Sequence, residues 1–175
     1  ILTRNILQQS NGANLDANSF SFIAKVINGK GIFNSVVDYS AGATGALYSV
    51  VAADFNADGK IDIAVTRDTG SGLFVLFGTG NGTFDTNVIY STGTLPSGIV
   101  VADFNRDGKL DLATANESGN NISVFLGDGN GTFRSQVTYG VGTGPRGIVV
   151  GDFNNDGKVD GIDFVIWVNN YGRRR

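Results

Sequence analysis

The sequence predicts an all-β chain of tandem four-stranded antiparallel units, and three observations carry that expectation. The nonapeptide DFNADGKID at residues 54–62 returns as DFNRDGKLD at 103–111 and as DFNNDGKVD at 152–160, each copy 49 residues after the last. A second landmark, GNGTF, recurs at 80–84 and 129–133 with the same period, as do Tyr90 with Tyr139 and Pro96 with Pro145. The 26 glycines are about twice the usual share and separate runs rich in Val, Ile, Phe and Thr, the composition of short strands joined by turns. A fixed period of this length is the mark of a repeat architecture.

Taken in chain order, residues 1–19 open with the apolar, capless ILTRNILQQ, which reads as a lead-in or as a strand donated to a neighbour. Residues 20–53 hold only the last two strands of a unit. Their degenerate landmark NGKGIF at 28–33 is followed by Tyr39 and by a linker two residues longer than its counterparts. Residues 54–102 and 103–151 are full repeats. Around the second, SGIVVADF (97–104) reads as a buried strand that the acidic loop turns into KLDLATAN (109–116). NISVFLG (121–127) and TFRSQVTY (132–139) follow, joined by Gly-Asn-Gly. Asn-Gly between strand-forming runs predicts a type I′ hairpin, which needs φ > 0 at both central residues. Four strands in 49 residues is the size of one propeller blade. Residues 152–175 carry a third acidic loop, and GIDFVIWVNNYG after it reads as a short helix. Two whole units and two halves fall short of the roughly four to eight blades that a propeller needs, so the chain is not expected to close on itself.

The acidic nonapeptide has the chemistry of a calcium loop. Aspartate stands at positions 1, 5 and 9, asparagine at 3, glycine at 6 and an apolar residue at 8. In the first loop Asp54, Asn56 and Asp58 supply side-chain oxygens, Lys60 its carbonyl, and Asp62 a carboxylate acting directly or through water. The same roles fall to Asp103, Asn105, Asp107, Lys109 and Asp111, and to Asp152, Asn154, Asp156, Lys158 and Asp160. Three Ca²⁺ sites are expected. An all-oxygen donor set disfavours zinc and copper, and a flexible loop with more than six oxygens favours calcium over magnesium. A turn rich in Asp and Asn forms without metal as well. Three copies of clustered carboxylates, however, repel one another unless a cation sits between them. Position 12 separates the loops: Val65 and Thr114 continue a strand, whereas Asp163 is expected to be a sixth ligand and a helix N-terminal acid.

With this motif the chain resembles the FG-GAP or VCBS-type repeat of integrin-like propeller blades and many secreted bacterial proteins, across residues 20–160. The resemblance implies a calcium ion held between the first two strands of each blade, and an extracellular or cell-surface location. The last 24 residues resemble one half of a dockerin module, whose loop-and-helix occurs twice in that family.

Composition excludes several classes. Cysteine, histidine and methionine are absent, and Glu117 is the only glutamate, so thiol and histidine chemistry have no carrier. The clustered carboxylates are assigned to metal loops and no serine or threonine has an activating base, so no enzyme is expected. Three divalent ions would carry the formal charge from −3 to +3, so net charge decides nothing about acidic or basic partners; no nucleic-acid partner is expected. FVIWV at 164–168 is too short to span a bilayer. The chain begins at Ile1, which fits a processed or truncated start. Phe55, Phe104 and Phe153, with Phe84 and Phe133, are expected in the core. Sequons stand at Asn81, Asn116, Asn121 and Asn130, and Arg173, Arg174 and Arg175 form a basic tail. Open sheet edges point to a homo-oligomer or filament, assembled head to tail as a calcium-stabilised structural protein. The alternative is an adhesion module with a glycan or protein ligand, or a fragment of a larger propeller.

Overall fold

The computed structural model describes residues 19–22, 37–40, 46–67, 72–153 and 164–168. Strands β1 (Ser19–Phe22) and β2 (Val37–Ser40) form an antiparallel pair. Strands β3 (Leu47–Ala53), β4 (Asp62–Arg67), β5 (Gly72–Gly78) and β6 (Phe84–Ser91) then meander into a four-stranded sheet in chain order. A second such sheet holds β7 (Pro96–Ala102), β8 (Asp111–Asn116), β9 (Asn121–Phe125) and β10 (Val137–Gly140). Finally β11 (Pro145–Val150) pairs with β12 (Phe164–Val168). Among the described residues the fold is all-β, its two complete units are propeller-blade-like, and the row of sheets does not close.

The units lie side by side with their first strands adjoining, β3 against β7 and β7 against β11. Sheet faces therefore pack on one another, and the second strands lose the hydrophobic alternation of a half-exposed strand: β8 is buried throughout and β4 nearly so. One core cluster joins the first two sheets through Phe55, Ala64, Leu73, Val75, Ile99, Leu112, Phe125 and Phe133. Another joins the second sheet to β11 through Phe104, Ala113, Ala115, Ile122 and Ile148. Polar ties repeat across the junctions. The Thr66 hydroxyl donates to the Ser97 carbonyl at 3.2 Å, and the Ser97 hydroxyl reaches the Arg146 carbonyl at 3.0 Å.

Three expectations are corrected. The segment expected as a C-terminal helix contains β12 instead. Phe164–Val168 is a β-branched and aromatic run too short to nucleate a helix, and β11 offers it a strand edge. The matched pairs Val101↔Leu112 and Val150↔Phe164 are 11 and 14 residues apart, so the third loop is three residues longer. Strand β12 stands where the half-dockerin resemblance implied a helix, and Asp163 itself lies outside the described residues.

Second, the hairpin turns are not type I′. Positive φ falls on Gly80 and Gly82, and on Gly129 and Gly131, but on neither intervening asparagine. Asn81 and Asn130 instead accept the N–H of Thr83 and Thr132 at 2.9 and 3.0 Å, closing Asx turns. Third, Phe55, Phe104 and Phe133 are buried and Phe84 is partly buried, but Phe153 is 52% exposed. A phenylalanine at this motif position is covered by the unit that follows, as Phe133 covers Phe55.

Candidate metal loops

The first two acidic loops share the same four backbone N–H contacts, and differ in side-chain bonds: Lys60 donates to Asp58 in the first, Asn105 to Asp107 in the second. Asp54 accepts the N–H of Asp58 at 3.1 Å and that of Gly59 at 2.8 Å, one on each carboxylate oxygen. Asn56 Oδ1 accepts from Asp58, and Asp58 Oδ1 accepts from the N–H of Lys60. Asp103, Asn105 and Asp107 repeat all four contacts with Asp107, Gly108 and Lys109 as donors. Such a coil turns left-handed twice, at Ala57 (φ 59°) and Gly59 (φ 79°), and again at Arg106 and Gly108. A Cβ on Gly59 would meet nothing within 4 Å, so conformation alone demands glycine there. Gly59→Ala is expected to lose about 1 kcal/mol, the ordinary cost of a left-handed L-residue. Urea unfolding checks it, and an unchanged midpoint would mean the loop relaxes to another turn.

Lys60 and Lys109 lie over the fifth-position acids, Nζ to Oδ2, at 3.1 and 3.9 Å. These exposed pairs add little stability. Lys60, through its side chain first and its backbone N–H second, holds the Asp58 carboxyl below its ordinary value.

Position 9 is different in kind. Asp62 and Asp111 are fully buried. Asp62 Oδ2 accepts the N–H of Phe55 at 2.9 Å, and Oδ1 accepts the N–H of Gly78 at 2.8 Å. Asp111 takes the N–H groups of Phe104 and Gly127, both at 2.8 Å. Each carboxylate therefore clasps the start of its loop to the end of the third strand at Gly78, or just beyond it at Gly127, and each oxygen keeps a second lone pair. Sequence reasoning did not foresee the clasp or its glycines. A Cβ on Gly78 would lie 2.1 Å from the Ile61 carbonyl oxygen, and one on Gly127 2.1 Å from that of Leu110. The available signal was the spacing of 49 between Gly78 and Gly127.

In the second loop, burial and like charges act against the Asp111 carboxylate. Burial, first of all, pushes the Asp111 carboxyl above its ordinary value. The N–H bonds from Gly127 and Phe104 pull it back, and the charges of Asp107 and Asp103 push it further up. Among the described residues no three carboxylates converge into a ready-made ion cage; the loop oxygens are turned to backbone N–H groups. The donor set is nonetheless all oxygen and stands at the same positions in both loops, so the residues fit a hard divalent ion. Of the third loop Asp152 is described, while Asn154, Asp156, Lys158, Asp160 and Asp163 lie outside the described residues.

The two repeated landmarks meet across the unit junction. Gly131 N–H donates to the Phe55 carbonyl at 2.9 Å, and a Cβ on Gly131 would strike the Phe77 ring at 2.5 Å. Phe133 packs edge-on against Phe55 and Tyr90, with ring centroids 5.6 Å apart in each case. Its N–H donates to the Tyr90 hydroxyl at 3.1 Å. The second unit's Gly-Asn-Gly turn thus rests on the first unit's acidic loop. Among the sequons, Asn81 and Asn130 are exposed, whereas Asn116 is fully buried and bonded to Asn121 and Ser123. An open recess of roughly 330 Å³ is lined by Tyr48, Ser97 and Arg146, which occupy one repeat position, and by Glu117. Arg146 donates to Glu117 there at 2.6 Å.

No helix among the described residues is long and apolar enough to cross a membrane. A family model described as an FG-GAP-like repeat matches residues 54–114 and again 103–161. No curated protein and no solved structure matches the chain.

Proposed function

The chain belongs to the FG-GAP-like repeat family, and from that premise we propose that it is a calcium-stabilised extracellular structural protein that self-associates head to tail. The observation that carries the calcium reading is the shared backbone geometry of two loops with an all-oxygen donor set, in the second of which the charges of Asp107 and Asp103 oppose ionisation of Asp111. Asp54, Asn56 and Asp58, the Lys60 carbonyl and Asp62 would hold one ion. Asp103, Asn105 and Asp107, the Lys109 carbonyl and Asp111 would hold a second, and the loop from Asp152 to Asp163 a third. The ion would supply the missing counter-charge and lock the loop on which the neighbouring unit's Gly131 rests. Its role is mechanical rather than catalytic.

At a hundredfold excess over its dissociation constant, each ion that binds only the folded chain is expected to add about 2.7 kcal/mol. Calorimetric unfolding with calcium and with chelator reads this, and coincident transitions would sink the reading. The effect depends on pH with a definite sign. The Asp111 carboxyl is raised in the fold, so without a cation it favours folding below its ordinary value of 3.8, and this contribution is lost as pH rises through the folded-state value. A bound cation favours the ionised form instead. The melting-temperature gain from calcium is therefore expected to be larger near pH 7 than near pH 4.

The recess at Tyr48, Ser97, Glu117 and Arg146 favours a second reading, an adhesion module. A tyrosine face beside an ion pair suits a sugar, and a glycan array on the calcium-loaded chain tests it.

A further inference from the structure

We infer that the 175-residue chain closes with a second copy of itself into a six-bladed ring, each copy's β1–β2 pair completing the other's β11–β12 pair. The inference rests on the head-to-tail reading above and names its end point.

The two short sheets are complementary halves of one template. Strand β11 follows β7 by one period, and β12 pairs with it as β8 pairs with β7, so these are strands one and two of a unit. The pair Phe20↔Tyr39 corresponds to Leu73↔Tyr90, with Ser19↔Ser40 beside it as Gly72↔Ser91 lies beside the latter, so β1 and β2 are strands three and four. Neither pair forms more than a two-stranded sheet among the described residues, and two strands alone are marginal in water. Their outer backbone edges call for one another.

Side chains along the row of first strands give the same answer independently. Ile99 and Ile148, one period apart, are 5% and 6% exposed. Ile99 shares its cluster with Val51 of the preceding first strand, and Ile148 with Val100. The next member of each series stands at an end of the row: Val50 is 58% exposed and Val149 53%. They are the two halves of a junction the molecule already makes twice. Placing β3 of one copy against β11 of the other seats Val50 on Val149. Phe153 then faces the partner's first unit, as Phe55 faces Phe133.

The count decides how far assembly goes. Counted over the described strands, two complete units and one composite unit per copy make six blades for two copies, inside the range of about four to eight that closes, whereas three copies would make nine. Once one junction forms, the second is intramolecular, and closure outcompetes adding further copies.

Light scattering on the eluting chain in calcium should give twice 18.3 kDa, independent of concentration. Val50→Asp and Val149→Asp, both at exposed positions, should each weaken the pair by about tenfold or more, because each places a charge in an apolar junction. An equimolar mixture of the two variants should associate more tightly than either alone, since one junction is then wild-type on both sides. A mass that climbs with concentration would overturn the ring and leave the head-to-tail reading standing. A monomer with and without calcium would overturn both. A dimer sensitive to only one of the two variants would overturn the ring by showing a face-to-face contact.

Discussion

Asp111→Ala is expected to lose about 3–5 kcal/mol of folding stability with no calcium present. The side chain is fully buried, and its two oxygens accept the N–H groups of Phe104 and Gly127, 7 and 16 residues away. Alanine leaves both donors without a partner, at about 1–3 kcal/mol each, and removes two charge-assisted bonds. Against a total of about 5–15 kcal/mol for a typical fold, that approaches global unfolding. Asp111→Asn retains one acceptor oxygen and is expected to lose roughly half as much. Urea unfolding in chelator separates the clasp from metal ligation: a residue serving only an ion would show no loss there, and a parent-like midpoint for Asp111→Ala would refute the clasp.

Gly127→Ala is expected to be comparably severe, at about 3 kcal/mol or more, for a steric reason. Its Cβ would sit 2.1 Å from the Leu110 carbonyl oxygen, a backbone atom at the base of the acidic loop, and the clash would pull the Gly127 N–H away from Asp111. Gly140→Ala is the control, since a Cβ there meets nothing within 4 Å. Thermal unfolding of the two variants side by side checks this, and equal melting temperatures would show that the loop base yields. Because Asp111 and Gly127 act through one bond, the double variant should lose less than the sum of the singles.

Most of the two complete units was legible in the residues. Strands expected at 97–104 and 109–116 are found as Pro96–Ala102 and Asp111–Asn116, and the half-unit expected at 20–39 is found as β1 and β2. Turn chemistry and strand propensity are local, and a period of 49 repeats the same local signals until they are unambiguous. The turn of the acidic loop was legible for the same reason, since Asp54, Asn56 and Asp58 organise it through contacts no more than five residues apart. Reading GIDFVIWVNNYG as a helix failed because the preference of five apolar residues was outweighed by the edge of β11, a partner 14 residues away by register.

By itself the sequence determined the repeat, most of its strands and the turns of the first two acidic loops, because these depend on backbone preferences within a few residues. Only the tertiary structure decided that the ninth-position aspartates are buried clasps, that Gly131 seats one unit on its neighbour's loop, and that Phe153 and Val149 stay half exposed while their counterparts are covered. Burial is a property of what packs opposite, and in a stack of blades the covering surface comes from the next unit along the chain.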